Sequence, residues 1–138
     1  MVNPFSHRRV APWLLGLGFA WVYLYAFPYF DALKSANELP RIFLTQEIVE
    51  HGTFTIDARL GELGSRFDVA TTPTGHSYSN KAPGMSFLAV PAYALLKVFS
   101  RGARPSLAAT TWVVRASTAT LAALLFLPFF WSLARRLT

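Results

Sequence analysis

Two uninterrupted apolar runs constrain this chain more than any other feature. Residues 10–30 (VAPWLLGLGFAWVYLYAFPYF) and 116–134 (ASTATLAALLFLPFFWSLA) contain no Asp, Glu, Lys, Arg or His. A helix rises about 1.5 Å per residue, so each run is long enough to cross a hydrocarbon core of roughly 30 Å. Only 14% of the 138 residues are charged, whereas a water-soluble domain carries about a quarter. Together these exclude an ordinary soluble globule and a disordered chain. The absence of cysteine excludes a disulfide-stapled secreted mini-protein. The expectation is an integral membrane protein.

The charges are distributed unevenly. All seven acids (Asp31, Glu38, Glu47, Glu50, Asp57, Glu62, Asp68) lie between the two runs, where bases nearly balance them. Arg8 and Arg9 precede the first run, and Arg135 and Arg136 follow the second, with no acid nearby. By the positive-inside rule both ends then face the cytoplasm and the middle faces outward. The basic surplus reads as an orientation signal, with contact to anionic lipid headgroups. No basic stripe with interleaved aromatics supports nucleic-acid binding. A cleaved signal peptide is the alternative for the first run. Its apolar stretch is longer than the usual roughly 7–15 residues, and no A-x-A site follows promptly. Trp21, Tyr23, Tyr25 and Tyr29 suit an aromatic belt at the outer interface.

A third apolar stretch, residues 82–96 (APGMSFLAVPAYALL), is short and broken by Pro91. Its length favours an interfacial or re-entrant helix. Were it to span instead, Lys97, Arg101 and Arg104 would be cytoplasmic and Arg135–Arg136 exported. Charge counting barely separates these topologies.

Residues 35–51 (SANELPRIFLTQEIVEH) read as a helix that can lie along the membrane surface. Asn37, or Ser35 before it, can cap it; Pro40 fits only the first turn, and Gly52 supplies the stop. The period then changes to two over Thr53–Asp57, predicting a short strand. Residues 59–66 show no period and read as loop. Residues 67–72 and 76–80 predict a hairpin around Thr72-Pro73-Thr74-Gly75, with Pro and Gly at type I turn positions.

Candidate chemistry lies on this outer segment. Lys81, followed by Pro83-Gly84 and membrane-seeking residues, sits where an ammonium can neutralise a lipid phosphate; simple snorkelling is the other reading. Glu38, a few residues beyond the first run, can orient or deprotonate an acceptor hydroxyl or amine, or serve only as a capping-box acid. Asp31 is a similar but weaker candidate, since acids commonly mark an outer boundary. Arg115, beside Trp112, either snorkels to the outer headgroups or acts as a second phosphate cation. Arg41, one turn from Glu38, reads as its solvated ion-pair partner. His7, His51 and His76 lack ligand spacing, so no metal site is expected. There is no P-loop, G-x-G-x-x-G or G-x-S-x-G.

Taken in order, Asn37-Glu38-Leu39-Pro40-Arg41, then Val49-Glu50-His51-Gly52-Thr53-Phe54-Thr55-Ile56-Asp57, then Gly75-His76-Ser77-Tyr78-Ser79-Asn80-Lys81-Ala82-Pro83-Gly84 and LAVPAYALL resemble the N-terminal part of bacterial type-C glycosyltransferases. The nearest group comprises the protein O-mannosyltransferases and lipid A aminoarabinose transferases. The resemblance covers roughly residues 30–138. It implies transfer of a sugar from a polyprenyl-phosphate carrier to an acceptor at the outer face of the bacterial inner membrane. It makes Glu38 the catalytic acid of the first loop, with Asn37 standing where many relatives have Asp. Lys81 matches a donor-phosphate lysine, although Ala82 and Gly84 depart from the Lys-Pro-Pro-type segment. Arg115 is a further candidate phosphate cation; Asp31, Asn37, Arg41 and Tyr78 are secondary candidates. Such enzymes are several times longer. The resemblance therefore implies a fragment or module, inactive alone, partnered by membrane lipid, the lipid-linked sugar donor and the remainder of a larger transferase. No cofactor is expected.

The expected fold class is an α-helical integral membrane protein. Two transmembrane helices (10–30 and 110–134) flank an extracytoplasmic loop (31–109) with surface-lying helices (37–51 and 84–99) and a small β-hairpin (67–80). Residues 1–9 and 135–138 are then cytoplasmic. The competing expectations are a non-catalytic small membrane protein binding polyprenyl-phosphate lipid or a partner transferase, and a plain membrane anchor with a folded outer domain.

Overall fold

The computed structural model describes residues 6–26, 37–63 and 68–137. Helix α1 (Ser6–Trp21) runs on into a π-helical turn, Val22–Ala26. Helix α2 (Leu39–His51) leads to a 3-10 turn (Asp57–Glu62) and to strands β1 (Val69–Thr71) and β2 (Ser77–Ser79). Helix α3 (Gly84–Phe99) follows. Helix α4 (Leu107–Arg115), a π-helical turn (Ala116–Thr120) and helix α5 (Leu121–Leu137) then form one continuous rod.

Helix α2 is the centre of the fold. Its middle is buried on every side: Pro40 and the unbroken run Ile42–Glu47 all lie inside. That differs from the surface-lying helix expected from sequence. Such a helix would show water one polar face, whereas Thr45, Gln46 and Glu47 are as enclosed as Ile42 and Phe43. The core adds Leu44, Ile56, Leu63, Ala89 and Val114 to these two apolar residues. Helix α3 supplies its inner face through Ser86, Ala89 and Tyr93, spaced i, i+3, i+7 as one side of a helix requires. Two of the three are small, which lets α3 approach α2 closely.

The ends of α2 follow from local chemistry. Pro40 lies in the first turn, where its missing N–H costs nothing. The helix begins at Leu39 rather than Asn37, and the capping residue is Glu38, whose side chain makes no cap because Arg115 holds it. At the other end Gly52 adopts φ 66°, a left-handed conformation glycine enters without steric penalty.

The predicted strand over Thr53–Asp57 does not form. Phe54 is exposed and Ile56 buried, but the segment pairs with β2 only at its edge, where Ile56 N–H donates to the Ser77 carbonyl at 2.9 Å. The loop expected to begin at Arg59 instead includes most of the 3-10 turn. The hairpin does form. Val69 pairs with Ser79 and Thr71 with Ser77 in antiparallel register. Gly75 N–H closes the turn onto the Thr72 carbonyl at 2.9 Å, with Gly75 at φ 87°.

The rod Leu107–Leu137 spans 31 residues at mean hydropathy 1.7 and is the one helix among the described residues long and apolar enough to cross a membrane. Helix α5 has no buried residue, and Leu125, Phe126, Phe129, Phe130 and Trp131 project from it. The described part of the first apolar run contributes a shorter apolar helix, Trp13–Tyr25. The first helix's π turn meets the rod at two points: Trp112 Nε1 of α4 donates to the Leu24 carbonyl at 3.2 Å, and Thr120 Oγ1 of the rod's π turn to that of Tyr23 at 3.4 Å. Within the rod, Ser117 and Thr118 hydroxyls donate back to the Val113 and Val114 carbonyls at 2.8 and 2.6 Å. Such back-bonding accompanies local departures from the α ladder.

Candidate functional site

Glu38 and Arg115 meet. At the N-terminal end of α2, the Glu38 carboxylate accepts from Arg115 Nε at 2.5 Å and from its terminal nitrogen at 2.6 Å. Arg115 is the last residue of α4, immediately before the π turn. The pair is two-pronged, the geometry in which guanidinium and carboxylate bind most strongly. It borders a cavity of about 300 Å³ lined also by Asn37, Arg41, Thr45, Ser86 and Thr118, with Ile42, Met85, Val114 and Ala119 as its apolar wall.

Arg41 does not pair with Glu38, contrary to the expectation from their spacing. A one-turn ion pair on a solvated helix contributes only a few tenths of a kcal/mol. Here a second helix delivers a bidentate guanidinium from outside, and it takes the carboxylate. Arg41 instead has its carbonyl fixed by the hydroxyls of Thr45 at 2.9 Å and Ser86 at 3.0 Å. Its Nε is buried without a hydrogen-bond partner.

Lys81 lies elsewhere. With Tyr78, Ser79 and Pro83 it borders a second cavity, of about 350 Å³, whose other walls are Leu44, Phe54 and Phe87. Phe54 and Phe87 pack edge to face there, 6.0 Å between centroids. Lys81 Nζ is neutralised by Asp68 Oδ1 at 2.6 Å. The structure thus brings Glu38, Asn37, Arg41 and Arg115 to one cavity and Lys81 and Tyr78 to another. Asp31 lies outside the described residues.

A buried ionic network is not foreseen from the sequence. Arg59, 4% exposed, donates from Nε to Glu47 at 2.6 Å and from a terminal nitrogen to Glu50 at 2.5 Å. Tyr93 donates its hydroxyl to the other Glu50 oxygen, and His51 Nδ1 lies 2.8 Å from Glu47. Burial would raise the Glu50 carboxyl, but the Tyr93 hydroxyl and the Arg59 charge overcome it and hold the group below its usual range. Burial likewise works against the Arg59 charge, and hydrogen bonding to Glu47 with the charge of Glu50 outweighs it. Tyr93 is raised by burial and by the adjacent Glu50. The available signal was Glu47 and Glu50 one turn apart on a helix otherwise rich in apolar residues. This network ties α2, the 3-10 turn and α3 together and borders neither cavity.

Nearer the hairpin, Asp57 accepts from the Ser77 N–H at 2.7 Å and lies 2.9 Å from His76 Nδ1. The hydrogen bond with His76, followed by that from Ser77, lowers the Asp57 pKa. Among the described residues, no group of three or more His, Asp or Glu side chains converges as a metal site.

The first cavity is therefore bordered by a carboxylate paired with one guanidinium, by a second guanidinium, and by hydroxyls that donate to backbone carbonyls, against an apolar wall made partly by the rod. No protein-family model, curated protein sequence or solved structure matches this chain.

Proposed function

We propose that this chain is the first-loop module of a membrane glycosyltransferase that moves a sugar from a polyprenyl-phosphate carrier to an extracytoplasmic acceptor. In this reading α1 with its π turn and the rod Leu107–Leu137 both span the inner membrane. Residues 31–109 are extracytoplasmic, and both basic ends are cytoplasmic. The apolar, little-buried surfaces of Trp13–Tyr25 and α5 support the embedding, and the placement of Arg8, Arg9, Arg135 and Arg136 supports the orientation.

One observation carries the functional reading: Glu38 and Arg115, distant in sequence, share a cavity at the junction of α2, α3 and the rod. A carboxylate there assists the attacking acceptor, while cations hold the charge that develops on the departing phosphate. The module supplies part of such a site, and activity is assigned to the larger enzyme.

A second reading is favoured by the state of Glu38. A carboxylate whose two oxygens already accept hydrogen bonds from Arg115 is engaged within the protein, which suits a non-catalytic protein that binds lipid-linked phosphate. Sugar transfer from a radiolabelled polyprenyl-phosphate donor decides between them. It is measured in membranes expressing the chain together with the coding sequence downstream of Thr138. Glu38→Gln is expected to lower transfer at least about a hundredfold at unchanged protein level. Wild-type transfer by that variant would leave the binding reading.

A further inference from the structure

Helix α3 is built inside out for a protein in water. Its buried side holds Ser86, Ala89 and Tyr93, while Phe87, Leu88, Leu95, Val98 and Phe99 stand outward, each between 47% and 82% exposed. A helix at a water boundary turns its large apolar residues inward. A contiguous apolar patch left outside marks a surface that meets something other than water. Phe54, from the segment after α2, packs edge to face on Phe87 and extends the patch beyond the helix. The face also adjoins the rod where its charge-free run begins: Met85 and Ser86 border the same cavity as Val114, Thr118 and Ala119.

The charges around this face are of one sign. No Asp or Glu occurs anywhere after Asp68. Lys97 is the one charged residue of α3, and Arg101 follows in the turn that ends the helix. Neither makes an ion pair among the described residues; Lys97 reaches Glu50 through its charge, without a salt bridge. Lys81 and Arg104, by contrast, are held by Asp68 and Glu62. Arg101 is also the only non-glycine among the described residues at positive φ, 54°, a conformation disfavoured for a side chain with a Cβ.

We propose that this face docks on the outer surface of an anionic bilayer, with Phe54 and the outward residues of α3 among the acyl chains nearest the headgroups and Lys97 and Arg101 at the lipid phosphates. Apolar burial together with attraction of cations to anionic lipid is what holds a helix to such a surface. A second copy of the chain is a poor occupant, because pairing the face with itself sets Lys97 and Arg101 against like charges with no acid to answer them. Length alone favours an interfacial helix here; the inverted packing, the recruitment of Phe54 and the one-signed rim are what specify the partner. The inference rests on the membrane embedding in the reading above, and not on sugar transfer.

The chain has no cysteine, so single cysteines take a label cleanly. Leu88→Cys and Val98→Cys in the whole chain, each carrying an NBD fluorophore, are reconstituted into vesicles of phosphatidylcholine and phosphatidylglycerol in equal parts. Quenching by spin-labelled lipid and by aqueous iodide then reports what each site touches. Leu125→Cys in α5 is the embedded reference, and Thr74→Cys on the exposed hairpin turn is the watery one. Lipid quenching is expected at both α3 sites and at Leu125→Cys, with iodide reaching only Thr74→Cys. A spin label on phosphatidylglycerol should quench Val98→Cys at least about twofold more than the same label on phosphatidylcholine, and Lys97→Gln with Arg101→Gln should abolish that difference. Iodide quenching of both α3 sites while Leu125→Cys stays protected overturns the proposal and spares the membrane reading; exposure of Leu125→Cys as well overturns the embedding itself. Protection that grows with protein per vesicle, without lipid quenching, assigns the face to a second copy and overturns the proposal. Equal quenching by the two lipids overturns the anionic assignment. Should the labels disturb the fold, the wild-type chain irradiated in vesicles containing diazirine lipid takes their place: lipid adducts within residues 84–99 are required, and their absence overturns the proposal.

Discussion

The Glu38 carboxylate and the Arg115 guanidinium, 77 residues apart in the chain, form a bidentate ion pair that fastens the start of α2 to the end of α4. It joins a helix of the folded outer segment to the rod. It also decides which arginine of the cavity remains available, since the carboxylate nearest to Arg41 in sequence is taken.

This pair is expected to couple in a double-mutant cycle. The two side chains are 25% and 21% exposed, so the large penalty for breaking a fully buried pair is discounted to about 1–3 kcal/mol for either Glu38→Gln or Arg115→Met. The double variant is expected to lose less than the sum, with a coupling above about 1 kcal/mol, measured by denaturant unfolding in detergent micelles. Strictly additive effects would mean the pair contributes nothing to the junction.

The Arg59 network is more exposed to damage because it is more buried. Arg59→Met leaves Glu47, 3% exposed, without its cation, and is expected to cost about 3–5 kcal/mol. Tyr93→Phe removes one hydrogen bond to Glu50 and is expected to cost about 1–2 kcal/mol. Thermal unfolding by circular dichroism should rank Arg59→Met well below Tyr93→Phe.

Acid should loosen the outer segment in a defined direction. Glu50 and Asp57 both have pKa values lowered from 4.5 and 3.8. Their contributions are therefore present above those values and are lost as pH falls through the lower native ones. The unfolding midpoint is expected to decline below about pH 4.5. A Glu50→Gln, Asp57→Asn double variant should show a flatter acid limb. An identical acid limb in that variant would reject both assignments.

Gly52→Ala isolates a backbone effect. A Cβ at Gly52 would meet nothing within 4 Å, yet the residue sits at φ 66°, so the substitution is expected to cost about 1 kcal/mol through conformation alone. Gly61→Ala is the control: it too has open space and no positive φ, and should be neutral or slightly stabilising in the same unfolding assay.

Local features are legible wherever the chain's own chemistry sets them. The hairpin turn follows from Pro73 and Gly75, the stop of α2 from Gly52, and the existence of α3 from the apolar stretch 82–96. Thr53–Asp57 alternates like a strand and is not one, because alternation records only which side chains are buried. Residues after a helix stop can alternate while following the core edge, without pairing as a strand.

The apolar rod, the helical character of the outer segment and the small hairpin are all specified locally, because they depend on hydrophobic length, period and turn residues within a few positions. The charge pairings are instead set by how the elements pack. That packing gives Glu38 to Arg115 rather than Arg41, gives Lys81 to Asp68, and buries Arg59 between Glu47 and Glu50. A charge is neutralised by whichever opposite charge the packed elements bring within about 3 Å, and that distance is a property of the assembled helices, not of spacing along the chain.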